Sequence, residues 1–175
     1  MKNIYEELEP ILFKSIAERL KTADKILEIG AGKCDLVHYL AERIKKWIVG
    51  VDINPEDHKS PNRVSPLIHC IKGDAHSLTF FKEGVFNSCV SLYTLHHLEH
   101  PIRALREIYR VLKGGGECII IDFIKGSSAE ELWGEEYYTP GNISSFLKRA
   151  GFSKLTIEFP KNRELVWITG IKKEA

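Results

Sequence analysis

Residues Lys25 to Asp35 read K-I-L-E-I-G-A-G-K-C-D, and the fold follows from how that stretch is parsed. Ile26, Leu27 and Ile29 form an apolar run that stops at Gly30 and Gly32. Leu36, Val37, Leu40 and Ile44 then recur at helical spacing. The pattern is strand, glycine turn, helix. Glycine permits positive φ and lets a ligand come close where a side chain would block it. The helix that follows would aim its free N–H groups and the positive end of its dipole at that ligand. Glu28 is an acid near the end of an otherwise apolar strand, and a buried strand rarely carries an unpaired carboxylate. A polar partner close to the turn is therefore expected. Together these features indicate a nucleotide-type cofactor site.

The same alternation continues downstream. Trp47 to Ile53 reads as a second strand ending in Asp52, with Asn54-Pro55 as a turn, and Leu67 to Asp74 as a third strand ending in Asp74. Phe86 to Leu92 is a fourth strand, leading through Tyr93-Thr94-Leu95-His96-His97 into a helix over about Pro101 to Leu112. Gly114 to Gly116 are expected to end that helix. Glu117 to Phe123 is a fifth strand, and residues 126–140 form a polar connection rich in aromatics. A helix over about Asn142 to Ala150 precedes a hairpin made by Lys154–Phe159 and Glu164–Ile171 across Pro160–Arg163. Upstream, Ile4, Leu8, Ile11, Leu12, Ile16 and Leu20 mark an amphipathic helix, restarting at Pro10. The segment from Glu56 to Pro66 reads as a loop or short irregular helix.

Strands alternating with helices imply a mostly parallel, doubly wound α/β sheet, which binds ligands beyond the carboxyl ends of its strands. Four successive strands end in polar residues there: Glu28, Asp52, Asp74, and Ser91 with the histidines beyond it. Asp52, about 20 residues after the glycines, has the spacing of an acid that accepts bonds from ribose hydroxyls. Asp74 followed by Ala75 suits an adenine amino group against a small apolar wall. A dinucleotide fingerprint would need glycine where Asp35 stands, and no second domain is seen to hold a hydride acceptor.

With 175 residues and 43% hydrophobic content, the chain can bury one core and reads as one domain. Its expected parts are an N-terminal helical segment (1–22), a cofactor-binding core (23–125) and a C-terminal helix and hairpin (126–175). Lysine and arginine number 25 against 24 acids, a net charge of +1, which gives no overall electrostatic footprint for nucleic acid. Cys34, Cys70, Cys89 and Cys118 form no C-x-x-C pair, and three of them sit in strand-like runs. They are expected to be buried and reduced, as in a cytosolic protein. Met1 to Pro10 lacks the apolar run of a signal peptide, and no apolar stretch approaches the roughly 18 residues of a membrane span. A cytoplasmic protein is expected.

The chain resembles the class I S-adenosylmethionine-dependent methyltransferases of the small UbiE-like, methyltransferase type 11 kind. The resemblance rests on L-E-I-G-A-G, V-D-I-N-P, G-D-A-H-S-L, the block S-L-Y-T-L-H-H-L-E-H-P-I-R-A-L-R-E-I-Y-R-V-L-K-G-G-G, and L-K-R-A-G-F. It implies a seven-stranded Rossmann-like sheet of order 3-2-1-4-5-7-6 with strand 7 antiparallel, and S-adenosyl-L-methionine as cofactor. It further implies that Gly30, Ala31 and Gly32 line the methionine portion with Glu28 supporting the turn. Asp52 would hold the ribose, Ile53 would pack on the adenine, and Asp74 with Ala75 would meet its edge. Ser91, Leu92 and His97 would lie near the sulfonium. The usual third glycine is replaced here by Cys34.

Methyl transfer is an in-line displacement, and a base is needed only if the acceptor carries a proton. His96, His97 and Tyr93 are the candidates for positioning the acceptor or serving as that base, with His100 nearby. No cysteine or carboxylate constellation marks the histidines as metal ligands, so no metal is expected. Tyr5, Trp133, Tyr137 and Tyr138 could cap the site. Arg103, Arg106, Arg110 and Lys113 read as a solvated basic face. The S-L-Y-T turn lacks the Asn/Asp-Pro-Pro-Tyr/Phe of enzymes that methylate amino groups of bases or glutamine, which points to a small-molecule acceptor rather than nucleic acid or membrane. The minimal lid leaves room for a homodimer or a partner subunit. Two alternatives stay open: a cofactor-binding subunit that activates a partner methyltransferase (or acts with a partner on protein or RNA), and a nicotinamide-dependent oxidoreductase.

Overall fold

A computed structural model describes residues 4–56, 67–160 and 163–174, with side chains from residue 7 onward. Its elements run α1 (Ile4–Leu20), β1 (Lys25–Ile29), α2 (Asp35–Ile44), β2 (Trp47–Asp52), β3 (Ile68–Lys72), β4 (Phe86–Leu92), α3 (Pro101–Val111) and β5 (Leu112–Phe123). Then come α4 (Ser128–Trp133), α5 (Pro140–Ala150), β6 (Ser153–Glu158) and β7 (Leu165–Ile171). The strands form one sheet of order β3-β2-β1-β4-β5-β7-β6. Pairing is parallel from β3 to β5, and β7 lies antiparallel to both β5 and β6. The expected order and hairpin are both present.

Because side chains alternate across a strand, each strand feeds two cores. Ile26, Ile48, Val90, Ile119, Ile121 and Phe123 pack with α1 and α2 on one face. Leu27, Ile29, Val49, Val51, Cys89 and Ile120 pack with α3 and α5 on the other. This period of two decides which residues at the strand ends reach the site.

Several local expectations need correction. α1 runs unbroken through Pro10, and Leu8, Leu12, Ile16 and Leu20 form its buried stripe while Ile11 stays exposed. The 126–140 connection contains a short helix, α4, whose Ala129 is buried. Gly114 to Gly116 do not end α3. That helix passes directly into extended backbone at Leu112, and the glycines form an excursion inside β5 between the pairs Phe86–Leu112 and Ser88–Glu117. The basic face of α3 is partly consumed by packing. Arg110 pairs with Glu107 at 2.9 Å and donates to the carbonyls of Phe81 and Leu78, while Arg103 donates to His76 O. Arg110 in turn holds the Glu107 carboxyl below its ordinary pKa.

Cysteine chemistry also departs from the expectation. Cys89 and Cys118 are free and buried, but Cys34 and Cys70 are joined as a disulfide across 36 residues, with Cα atoms 6.4 Å apart. Gly50 is paired with Cys70 in the β2–β3 register, and a Cβ there would come 3.6 Å from the Cys70 sulfur. The expected Glu56–Pro66 loop lies, from residue 57 onward, outside the described residues, as do positions 161–162 of the hairpin link and the Tyr5 side chain.

Gly50 offers a direct test of this packing. A Cβ placed there would come 2.7 Å from Ala31 Cβ and 2.8 Å from Val37 Cγ2, closer than ordinary contact. Overpacking of this kind typically costs about 1–3 kcal/mol. Gly50→Ala is therefore expected to lower the denaturant midpoint by a corresponding amount, and an unchanged midpoint would refute the tight approach of α2 to β2.

Candidate active site

The turn after β1 is fixed by backbone bonds rather than by its own side chains. Val51 O accepts from Gly30 N at 2.8 Å and Ala31 N at 3.2 Å, so the chain leaves β1 tethered to the end of β2. Gly32 N donates to Asp52 Oδ2 at 2.9 Å, and Asn54 N donates to Oδ1 at 2.8 Å. Gly30 and Gly32 take positive φ of 76° and 49°. A Cβ at Gly30 would overlap Thr94, while at Gly32 the same direction is open space. Gly30 therefore permits the close approach of the β4 turn, and Gly32 presents bare backbone outward. Cys34, standing where the resemblance expected glycine, itself takes the left-handed conformation at φ 61° and precedes α2.

A cavity of about 430 Å³ opens beside this turn. Gly30, Ala31, Leu92 and Tyr93 line it, as do Glu9 and Phe13 from α1 and Glu28 from β1. The backbone N–H of Val37 bonds to Glu28, which faces α2 in the same parity as Ile26. Its Oε2 has no hydrogen-bond partner among the described residues. Burial raises the Glu28 pKa well above the usual carboxylate range, and the charges of Asp35 and Asp52 add to the effect. The expectation of a polar partner is thus met on one oxygen only.

Ser91 is not brought to this cavity. It has the parity of Cys89 and is buried within the sheet, whereas Leu92, one residue on, reaches the opposite face. Asp74 accepts from His76 N at 2.8 Å and lies 2.7 Å from His76 Nδ1, which together keep its carboxyl below the ordinary value. Ala75 is buried beside it, and Ile53 is 65% exposed next to Asp52. A second cleft, of about 500 Å³, runs between α1 and the β6–β7 edge past Ser15, Phe159 and Trp167. It shares no lining residue with the glycine turn.

The histidines separate into two places. Tyr93 reaches the cavity with its ring stacked on Phe123 at 5.2 Å. Residues Leu95–His97 form a single 3-10 turn just beyond. His96 Nδ1 lies 2.8 Å from Asp122 Oδ1 and 3.0 Å from Oδ2, and its Nε2 lies 3.3 Å from Glu135 Oε2. His97 Nε2 is 3.8 Å from Glu135 Oε1. An ionised carboxylate can only accept, so the His96 Nδ1 carries a proton. Burial lowers the His96 pKa, but Asp122 and then Glu135 outweigh it and the net shift is upward. His100 lies apart: its backbone N–H donates to His76 Nε2. The sequence reading missed Asp122 and Glu135. Asp122 was detectable as a fifth strand ending in an acid. Glu135 lies in the α4–α5 connection and reaches the histidines only through the fold.

The buried Glu28 generates a pH-dependent prediction. Its folded pKa lies above its unfolded one, so its contribution to stability is complete below the unfolded pKa and is lost as pH rises through the folded value. Replacement by the neutral isostere, Glu28→Gln, should flatten this decline. The variant is expected to melt higher than the parent at about pH 8, with the gap closing below about pH 4. Parallel pH curves for the two proteins would show that Glu28 is not a buried, neutralised carboxyl.

The family described as "Methyltransferase domain" matches residues 27–120, more than half of the chain. The sterol 4-C-methyltransferase strm-1 of Caenorhabditis elegans is 28% identical over 142 residues, spanning 77% of this chain and 42% of that protein. The ubiquinone/menaquinone biosynthesis C-methyltransferase UbiE of Neisseria meningitidis is 30% identical over 115 residues, spanning 61% of this chain and 45% of that protein. The chain thus spans less than half the length of these two relatives. Among solved structures, the [4+2]-cyclase SpnF superposes with a TM-score of 0.82 over 94% of this chain and 81% of that one. At 19% identity that likeness is one of fold. On the family match, with a seven-stranded α/β sheet of its own, this chain belongs to the class I S-adenosylmethionine-dependent methyltransferases.

Proposed function

We propose that this chain transfers the methyl group of S-adenosylmethionine to a small-molecule acceptor. The observation that carries the reading is the Gly30–Gly32 turn tied to Asp52, with Ile53 exposed beside it. The residues present fit the cofactor. Gly32 offers uncovered backbone, Glu28 holds an unpartnered oxygen at the cavity, and Ile53 is a large apolar side chain open to solvent. An adenine packed on Ile53 would remove that apolar surface from water. Asp52 would accept from the ribose hydroxyls, and Asp74 with Ala75 would meet the adenine edge. Gly30, Ala31 and Gly32 would line the methionine portion with Glu28 supporting the turn, and Leu92 would lie near the sulfonium.

The cofactor supplies a methyl group already activated by its sulfonium. The protein's task is alignment and exclusion of water, and orientation alone is worth about 7 kcal/mol or more. Tyr93, at the cavity, with His96 and His97 one turn beyond, would position the acceptor. The relatives' names, for sterol 4-C-methylation and for C-methylation in ubiquinone/menaquinone biosynthesis, support a small organic acceptor.

Titration of S-adenosylmethionine, S-adenosylhomocysteine and NAD, each into the purified protein, tests the reading. Both sulfur ligands should bind, and at about 100 times Kd each should stabilise the fold by about 2.7 kcal/mol. Asp52→Ala should abolish that gain. Failure of both ligands to bind folded protein free of co-purified cofactor would sink the proposal, and a response to NAD alone would replace it with hydride transfer.

A further inference from the structure

Beyond the cavity, His96, His97 and Glu135 form a cluster whose ligand atoms all lie within 4.8 Å of one another. Two of them come from one 3-10 turn and the third from the α4–α5 connection. In a tetrahedral site with metal–ligand distances near 2.0–2.1 Å, ligand atoms stand about 3.4 Å apart. The separations here, 3.3 Å from His96 Nε2 to Glu135 Oε2 and 3.8 Å from His97 Nε2 to Glu135 Oε1, bracket that edge.

The supporting contacts have the form a metal site needs. Ligating histidines usually donate the other ring N–H to a carboxylate, which fixes the tautomer and the ring plane. Asp122 does this for His96 at 2.8 Å, and both side chains are only 2% exposed. Asp122 also accepts from the backbone N–H of Phe123 and of His96, so it is itself held. Tyr137 donates its hydroxyl to Glu135 Oε2 at 2.7 Å and orients that carboxylate. Its ring lies 4.4 Å from the His96 ring, walling one side. Toward His97 and Glu135 the cluster opens to solvent.

The geometry points to a divalent-metal site in which His96, His97 and Glu135 are the ligands and an open position takes an oxygen of the methyl acceptor. Two imidazoles and one carboxylate suit first-row divalent ions, Zn²⁺ foremost, and catalytic zinc sites of this donor set keep a fourth position for water or substrate. The turn that carries the histidines follows directly on Leu92–Thr94 at the cofactor cavity. An oxygen held there would sit at the acceptor end of the site. The acceptor class is then one with an oxygen donor, such as a phenol or quinol hydroxyl. The role of the ion at the acceptor rests on the methyltransferase reading, whereas its binding does not.

The test uses the whole chain, stripped with a chelator and then titrated with Co²⁺ and Zn²⁺ by calorimetry and by Co²⁺ visible absorption. One ion per chain should bind, with the ligand-field band of a four- or five-coordinate nitrogen–oxygen site. His97→Ala and Glu135→Gln change side chains at the open edge of the cluster, and each should weaken binding by about tenfold or more. Asp122→Asn should weaken it by about 10–100-fold through the His96 ring. Absence of saturable binding to the parent protein, or binding that survives both His97→Ala and Glu135→Gln, would overturn the site. Asp52→Ala should lose S-adenosylmethionine yet retain the Co²⁺ band. An ion bound without cofactor would leave the site standing and fail the methyltransferase reading, and the reverse result would fail the metal site alone.

Discussion

The two bonds that Val51 O receives from Gly30 and Ala31 determine where the chain leaves the sheet, and the site is assembled around that exit. They carry the register of β1 and β2 one step past the last paired residues, so the glycine turn cannot drift relative to Asp52. Asp52 then closes the arrangement by accepting from Gly32. Glu56 N donates to Gly32 O at 2.8 Å, tying the segment after β2 back to the same turn. A strand end that would otherwise expose unpaired backbone groups becomes a rigid rim.

Parity along the strands does the rest. A step of one residue moves a side chain to the opposite face of the sheet, so Leu92 and Ser91 have different fates although they are neighbours. Glu28 is placed toward α2 by the same rule, beside the amino end of a helix that favours negative charge. Burial works against that charge and raises the pKa. The carboxyl thus sits in a place chosen by pattern and disputed by solvation.

Much of this was legible in the residues themselves. Apolar runs and glycines carry local information, and they located the sheet and the turn tied to Asp52. What could not be read was whatever depends on residues distant in sequence meeting in space. Glu135 joins His96 and His97 from 38 or more positions away. Cys34 meets Cys70 from 36 residues away. Gly114 to Gly116 carry the composition of a helix stop, yet they serve as a bend within β5. Arg110 has the spacing of a solvated stripe but is drawn in by the carbonyls of Leu78 and Phe81.

The sheet order has a consequence for how the molecule is assembled. β7 follows β6 in the chain yet lies inside it in the sheet, between β5 and β6. Until β7 is in place, β6 has no strand to pair with and β5 has a bare edge. An open edge of this length, rich in isoleucine, is a template for association with other chains. Docking of Leu165–Ile171 therefore covers the β5 edge and moves the open edge of the sheet out to β6.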